Sequence, residues 1–346
     1  MEITGTDQHE SWLNKVLPPI EEIRPNLWSI PVPMPYSPLR YVSVYAMSHE
    51  AGVTLIDAGW DSDDSWQALI DGLVHIGASI ADVRGVLITH KHFDHIGLAR
   101  RVRDASGAWL GLHPADQDPA ESQDLETSRK AALDWLVGLG ASRDEAESLM
   151  IAAAFDGPGR GAPQADRLIE DGDVIRVPGR TLRAVHTPGH TPGHLCFLDE
   201  EGHNLFAGDH LLPRITPNIS ADRDLTVDLL GDFLESLDKI EKFDVEEVFP
   251  AHEWRYRGLA DRVSQLKLHH EKRLAELLAV IRENPGITPW DMAAQLTWSR
   301  PWDQFNGYIR VIAVGETMSH VVHLAHQGLV TPLRRGPGYA SASETA

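Results

Sequence analysis

The segment Thr89-His90-Lys91-His92-Phe93-Asp94-His95 packs three imidazoles and a carboxylate into six positions, and few folds have a use for that. It directly follows the apolar run Gly85 to Thr89, the pattern of a buried strand. A rigid layer therefore hands over to a loop that must present all four groups. Imidazole nitrogen and carboxylate oxygen are the donors that Zn²⁺ and similar divalent ions take. His90 and His92, two residues apart, can converge on one ion, and Asp94 and His95 can turn towards a second.

Three later segments supply matching donors, each at the end of an expected strand. His186-Thr187-Pro188-Gly189-His190-Thr191-Pro192-Gly193-His194 offers three histidines in a turn stiffened by two Pro-Gly pairs. Phe206-Ala207-Gly208-Asp209-His210 places a carboxylate after a strand and a glycine, and Phe249-Pro250-Ala251-His252 places a histidine. Donors that gather from several strand ends at one edge of a layered structure make a preformed two-ion pocket.

The pattern around these segments is that of a layered α/β domain. Two strands are expected over 40–57, with alternating Val42, Val44 and Ala46 in the first. Trp66, Leu69, Ile70, Leu73 and Val74 have helical spacing. Short strands follow near 85–89, 108–112, 174–177, 181–185, 195–198, 204–207 and 247–249, with a helix near 226–241. Residues 114–165 interrupt the strands as a helical insertion. Its two helices, 122–138 and 142–154, leave Trp135, Leu136 and Leu139 exposed for lining an apolar pocket, and a Gly/Pro-rich loop over 157–163 closes it.

The expected division is a catalytic domain over 1–258, a helical domain over 259–335 and a disordered tail over 336–346. The charge changes at the same place. Residues 259–346 carry nine Lys or Arg against eight Asp or Glu, whereas the 346-residue chain has a net charge of −20. The tail pattern is a long helix over 259–283, a short helix capped by Thr288-Pro289-Trp290-Asp291, a helix over 314–327 and a strand from Leu329.

At the four donor segments the chain resembles the metallo-β-lactamase-fold hydrolases over about residues 25–258. The family pattern His-x-His-x-Asp-His stands as His90-Lys91-His92-Phe93-Asp94-His95. The resemblance implies a four-layer αββα sandwich holding two divalent metal ions, Zn²⁺ first, with Mn²⁺ or Fe²⁺ as alternatives. One ion would take His90, His92 and His190, the other Asp94, His95 and His252, and Asp209 would span both. Asp57, in Leu55-Ile56-Asp57-Ala58-Gly59, matches an aspartate that orients the metal shell from outside it. Asp94 would also be catalytic, steering the attacking hydroxide or accepting its proton. The tail is similar to the winged-helix-like segment of β-lactamase-like protein 2 relatives.

Departures from the family narrow the reading. Exported zinc β-lactamases of the commonest type have a cysteine where Asp209 stands, and flavodiiron relatives have an acidic residue where His92 stands. The single cysteine, Cys196, lies in the apolar run Leu195-Cys196-Phe197-Leu198 and is expected to be a buried thiol. The first twenty residues show no signal peptide, and no run of ~18 apolar residues suggests a membrane span. A cytoplasmic location with no membrane partner is the expectation.

The leading functional reading is hydrolysis of an ester or thioester by a metal-bridging hydroxide, acyl-thioesterase or glyoxalase II-like chemistry on a small acyl substrate. The tail's resemblance supplies an alternative, single-stranded RNA cleavage, which runs against the acidic charge. Expected helix 314–327 holds no Lys or Arg, and the pair Arg334-Arg335 is too small for a basic patch, so DNA reading is not expected. A non-catalytic metal-binding regulator and a homodimer are the remaining alternatives. Outside the ligand set, His186, His194 and His210 divide between hydrogen bonding to the ligands and packing. His113 is expected at a strand end, and His269 and His270 on a helix surface. His320, His323 and His326 spread around one helix.

Overall fold

The alternation over 41–49 sorts side chains between two faces of one sheet. Val42, Val44 and Ala46 pack with Leu69, Leu73 and Val102, while Tyr45 and Met47 pack with Phe197, Phe206 and Phe249 of a second sheet. The computed structural model describes residues 1–35, 37–117, 125–152, 163–221, 224–305, 307–333 and 336–342. It divides into two compact units. Unit 1 comprises Met1–Ala120, Gly157–Pro217 and Ser236–Ser264, and unit 2 comprises Glu121–Asp156, Asn218–Glu235 and Gln265–Ala346.

Unit 1 opens with β1 (Glu2–Ile3) and then forms β2 (Glu21–Arg24), β3 (Leu27–Pro33), β4 (Tyr41–His49), β5 (Gly52–Ile56), β6 (Val83–Leu87), β7 (Trp109–Leu112) and β8 (Arg167–Leu168). Strands β2 to β8 make one seven-stranded sheet in chain order. Pairing is antiparallel from β2 to β5 and parallel from β5 to β8. The second sheet adds β9 (Val174–Val177), β10 (Arg180–His186), β11 (Leu195–Asp199), β12 (Asn204–Gly208), β13 (Glu247–Pro250) and β14 (Tyr256–Arg257), in the order β1-β14-β13-β12-β11-β10-β9.

The apolar layer between the sheets and the helices on the first sheet give a metallo-β-lactamase-type sandwich. Helix α1 (Thr6–Asn14) precedes the first sheet, and α2 (Asp63–His75), α3 (Phe93–Ile96) and α4 (Ala99–Ser106) interleave with its parallel part. Ser62 caps α2 by accepting from Ser65 N–H at 3.1 Å, and Asp63 and Asp64 complement the helix dipole. Parallel neighbours bring their C-terminal ends to one edge. Asp57 follows β5, the His90–His95 segment follows β6, Asp209 follows β12 and His252 follows β13.

Unit 2 holds α5 (Leu125–Gly138), α6 (Arg143–Ala152), part of α7 (Leu229–Ile240), most of α8 (Leu259–Glu283), α9 (Pro289–Gln295), α10 (Gly307–His326) and a ribbon of β15 (Val330–Pro332) and β16 (Tyr339–Ser341). The insertion helices share one core with the tail helices. Leu136 and Leu139, expected to be exposed, are buried there with Leu277, Met318 and Val321, because the apolar face of α5 meets α10 and α8 rather than solvent.

Two other expectations change in this unit. Tyr339–Ser341, in the segment expected to be disordered, pairs with β15 and buries Ala340, and Gly286 N–H donates to Tyr339 O at 2.8 Å. His270, expected on the surface, is 1% exposed because it packs against Phe233 and His320. Residues 157–162 of the loop expected over 157–163 and the pair Arg334-Arg335 lie outside the described residues. Among the described residues no helix is long and apolar enough to cross a membrane.

Candidate metal centre

The loop after β6 carries His90 and His92, and His92 then precedes the first turn of α3, so Asp94 and His95 enter on a helical turn. His95 O accepts from Ala58 N–H at 2.8 Å, which ties that turn to the segment after Asp57. His190 lies in the β10–β11 hairpin. The structure thus brings together all seven residues expected as ligands, and they fall into overlapping three-residue groups that could hold a metal ion. These are His90, His92 and His190; His90, His95 and Asp209; and Asp94, His95 and His252, with the donor atoms of each within 4.8 Å of one another.

Asp209 divides between the two ends of the cluster. Its Oδ2 lies 3.5 Å from His190 Nε2, while its Oδ1 lies 3.5 Å from His95 Nε2 and 3.4 Å from His252 Nε2. Asp94 Oδ2 lies 3.1 Å from His252 Nε2 and 3.6 Å from His95 Nε2. His90 Nε2 and His92 Nδ1 are 3.0 Å apart. Donors bound at 2.0–2.1 Å to one tetrahedral Zn²⁺ lie roughly 3.3 Å from each other, so the spacing is that of coordination edges.

Outer hydrogen bonds orient the rings. His95 Nδ1 donates to Asp57 Oδ2 at 2.8 Å and His252 Nδ1 donates to Tyr41 O at 2.8 Å, which turns both Nε2 lone pairs inward. The inward Nε2 of His95, Nε2 of His252 and Oδ1 of Asp209 are buried and make no hydrogen bond. Buried imidazole nitrogens and carboxylate oxygens facing one another in this way are costly unless positive charge, a proton or a metal ion, sits among them. The residues fit a divalent metal.

Electrostatics agree. Burial lowers the His95 imidazole, but Asp94, Asp57 and Asp209 outweigh it and hold its pKa up to about 10. Burial likewise opposes a charged His252, and Asp209 and Asp94 still raise it. The three-histidine end behaves oppositely: burial, then neighbouring His190, pushes His92 down to about 3, and burial with His95 and His92 lowers His90 further. One end of the cluster thus attracts positive charge, and the other presents neutral imidazoles, the form that ligates.

Of the histidines left between two readings, His194 makes a hydrogen bond to the cluster. Its Nε2 accepts from Asp209 N–H at 3.3 Å, and its Nδ1 pairs with Thr187 Oγ1 at 2.8 Å. His186 holds its own hairpin instead, donating from Nε2 to Pro192 O at 2.8 Å. His210 is buried beside His194, with ring centroids 5.9 Å apart. Nothing in residue spacing singles out Asp116, which reaches both ligand loops, because a lone aspartate after His113-Pro114-Ala115 has no metal-like pattern.

The comparisons with known proteins agree with this fold. A solved metallo-beta-lactamase family protein of Thermus thermophilus superposes with a TM-score of 0.75 at 28% identity, covering 92% of this chain and all of that one. A beta-lactamase-like protein 2 homolog of Caenorhabditis elegans is 22% identical over 86% of this chain and 83% of its own length. An atrochrysone carboxyl ACP thioesterase of Paecilomyces divaricatus is 34% identical over 47% of this chain and 51% of that protein. The chain spans about a third to a half of the length of the fungal relatives it matches. The model of the Metallo-beta-lactamase superfamily matches residues 37–252. The chain belongs to that superfamily.

Proposed function

We propose that the chain is a dinuclear esterase or thioesterase acting on a small acyl substrate. His90, His92 and His190 would hold one ion, Asp94, His95 and His252 would hold the other, and Asp209 would serve both. The observation that carries the two-ion reading is the division of Asp209, with Oδ2 towards His190 and Oδ1 towards His95 and His252. Divalent ions bound there supply a Lewis acid for a carbonyl oxygen and lower the pKa of water towards ~7. Zn²⁺ suits the histidine-rich donor set, and Mn²⁺ or Fe²⁺ also take mixed nitrogen and oxygen donors.

The chain's own residues do the rest. Asp57 and the Tyr41 carbonyl accept from Nδ1 of His95 and His252, so the Nε2 atoms of both rings face inward and would ligate a bound ion. Asp94 is the residue to steer the nucleophile or accept its proton, and its ionised form suits the steering role best. Burial favours its neutral form, but His95 and His252 outweigh that and hold the carboxyl well below the usual carboxylate range. Its side chain keeps 14% of its exposure, so the ionised carboxylate is not sealed from solvent.

A net charge of −20 disfavours a polyanion and leaves a small acyl compound as the better substrate. The thioesterase among the fungal relatives supports the same bond type. RNA cleavage is the second reading, favoured by the match to the beta-lactamase-like protein 2 homolog across 86% of the chain. A graded series of acyl thioesters, run beside a single-stranded RNA with Zn²⁺- or Mn²⁺-loaded protein, separates them. Metal-dependent thioester cleavage with a chain-length optimum is expected. Cleavage of RNA alone would overturn the acyl reading.

A further inference from the structure

Asp116 lies in the turn after β7, outside the proposed ligand set, and is 1% exposed. Its Oδ2 accepts from Lys91 N–H at 3.0 Å and from the Thr191 hydroxyl at 2.6 Å, and its Oδ1 accepts from Gly193 N–H at 2.7 Å. Lys91 stands between His90 and His92, and Thr191 and Gly193 follow His190. One buried carboxylate therefore joins the two loops that carry the three-histidine group. Ionised carboxylates only accept, and such charge-assisted bonds are about twice as strong as neutral ones.

The surroundings fix this carboxylate rather than leaving it free to follow the loops. Asp116 N–H donates to His113 O at 3.0 Å, and His113 Nδ1 accepts from Ala115 N–H at 3.2 Å. The His113 ring stacks on His186 at 4.0 Å and 10°, and His186 Nε2 donates to Pro192 O within the same hairpin. Gly193 approaches so closely that a Cβ there would lie 2.6 Å from Asp116 N and 2.7 Å from its Cγ. We propose that Asp116 is a positioning residue that clamps the His90/His92 loop to the His190 hairpin and so sets the His92–His190 separation, 4.6 Å between ring centroids. The proposal rests on the two-ion reading.

Asp116→Asn tests it, because each carboxylate oxygen receives a backbone N–H and either orientation of the amide sets an NH₂ against one of them. Zn²⁺ affinity is measured by competition with a chromophoric chelator, with no reliance on catalysis. The variant is expected to keep one tight equivalent and to weaken the other by about 10–100-fold, the usual effect of losing an outer partner. Asp199→Asn is the control for general destabilisation. Asp199 is equally buried but pairs with Arg180 and Gly202 N–H at the far end of β11, and its variant should bind both ions normally.

Should Asp116→Asn fail to fold, Thr191→Val removes the hydroxyl donor alone and should weaken the same equivalent by a smaller factor. Wild-type affinity for both ions in whichever variant folds, or parallel weakening of both, overturns the clamp. Wild-type protein taking up fewer than two equivalents overturns the two-ion reading itself, and that failure is visible without any variant.

Discussion

Asp57 Oδ2 accepts from His95 Nδ1 at 2.8 Å, and both side chains are almost fully buried. The aspartate holds a left-handed backbone conformation, φ 62°, and also accepts from Thr89 N–H at 2.8 Å. Asparagine tolerates that conformation, so Asp57→Asn isolates the hydrogen-bonding role. Its amide cannot accept from both His95 and Thr89 as the carboxylate does. Zn²⁺ affinity at the Asp94, His95, His252 end should fall about 10–100-fold, read by metal titration, with hydrolysis falling in step. Unchanged affinity would remove Asp57 from the account.

Asp209→Ala removes the carboxylate that faces both ends of the cluster. The variant should retain at most one tight metal equivalent and lose hydrolysis by more than roughly 100-fold, beyond the range for outer partners. Full activity with two ions bound would contradict the shared-ligand role.

The buried pair His270 and His320 predicts an acid sensitivity in unit 2. His320 Nδ1 donates to Glu316 O at 2.8 Å, so its Nε2 accepts from His270 Nδ1 at 3.2 Å, an arrangement that holds with both rings neutral. Burial, then His320 and His269, pushes His270 down to about 2, and burial with Arg273 holds His320 at about 4 despite the Glu316 carbonyl. Folded values below the unfolded 6.5 mean that the unfolded chain binds more protons in this window. Stability is therefore present above pH ~6.5 and is lost as pH falls towards 4, by on the order of 2 kcal/mol per histidine. Urea unfolding of a His270→Phe, His320→Leu double variant should show a shallower decline between pH 6.5 and 4.5 than wild type. An equal slope would contradict the assignment.

Cys196 sits in β11 with its thiol near Ala207 O and Thr187 Oγ1, and burial pushes its pKa up to about 12. The native protein should resist alkylation by iodoacetamide at pH 8 over hours and react fully in denaturant. Rapid labelling of the folded chain would contradict the packing of this strand.

The sequence made the donor segments legible because coordination chemistry restricts residue type and spacing together, as in His90 to His95. Strands with one alternating face, such as Tyr41–His49, were equally readable. Strand Leu27–Pro33 was hidden by Pro31 and Pro33, which are tolerated because β2 pairs with it only as far as Ser29, so among the described residues no strand of the sheet calls for an N–H on that side beyond it. The first turns of α10 were hidden by the unbroken apolar run Val311 to Val314, which carries no helical period. Long-range partners are the third kind of silence. Asp116 meets Gly193 across 77 positions and His270 meets His320 across 50, and no local pattern records either meeting.

The central claim is hydrolysis that depends on two ions. Apoprotein titrated with Zn²⁺ while acyl-thioester cleavage is followed tests it most directly. Activity should be absent without metal and should saturate at two equivalents per chain. Cleavage by the metal-free chain, or two bound equivalents with no cleavage of any acyl thioester or ester, would contradict it.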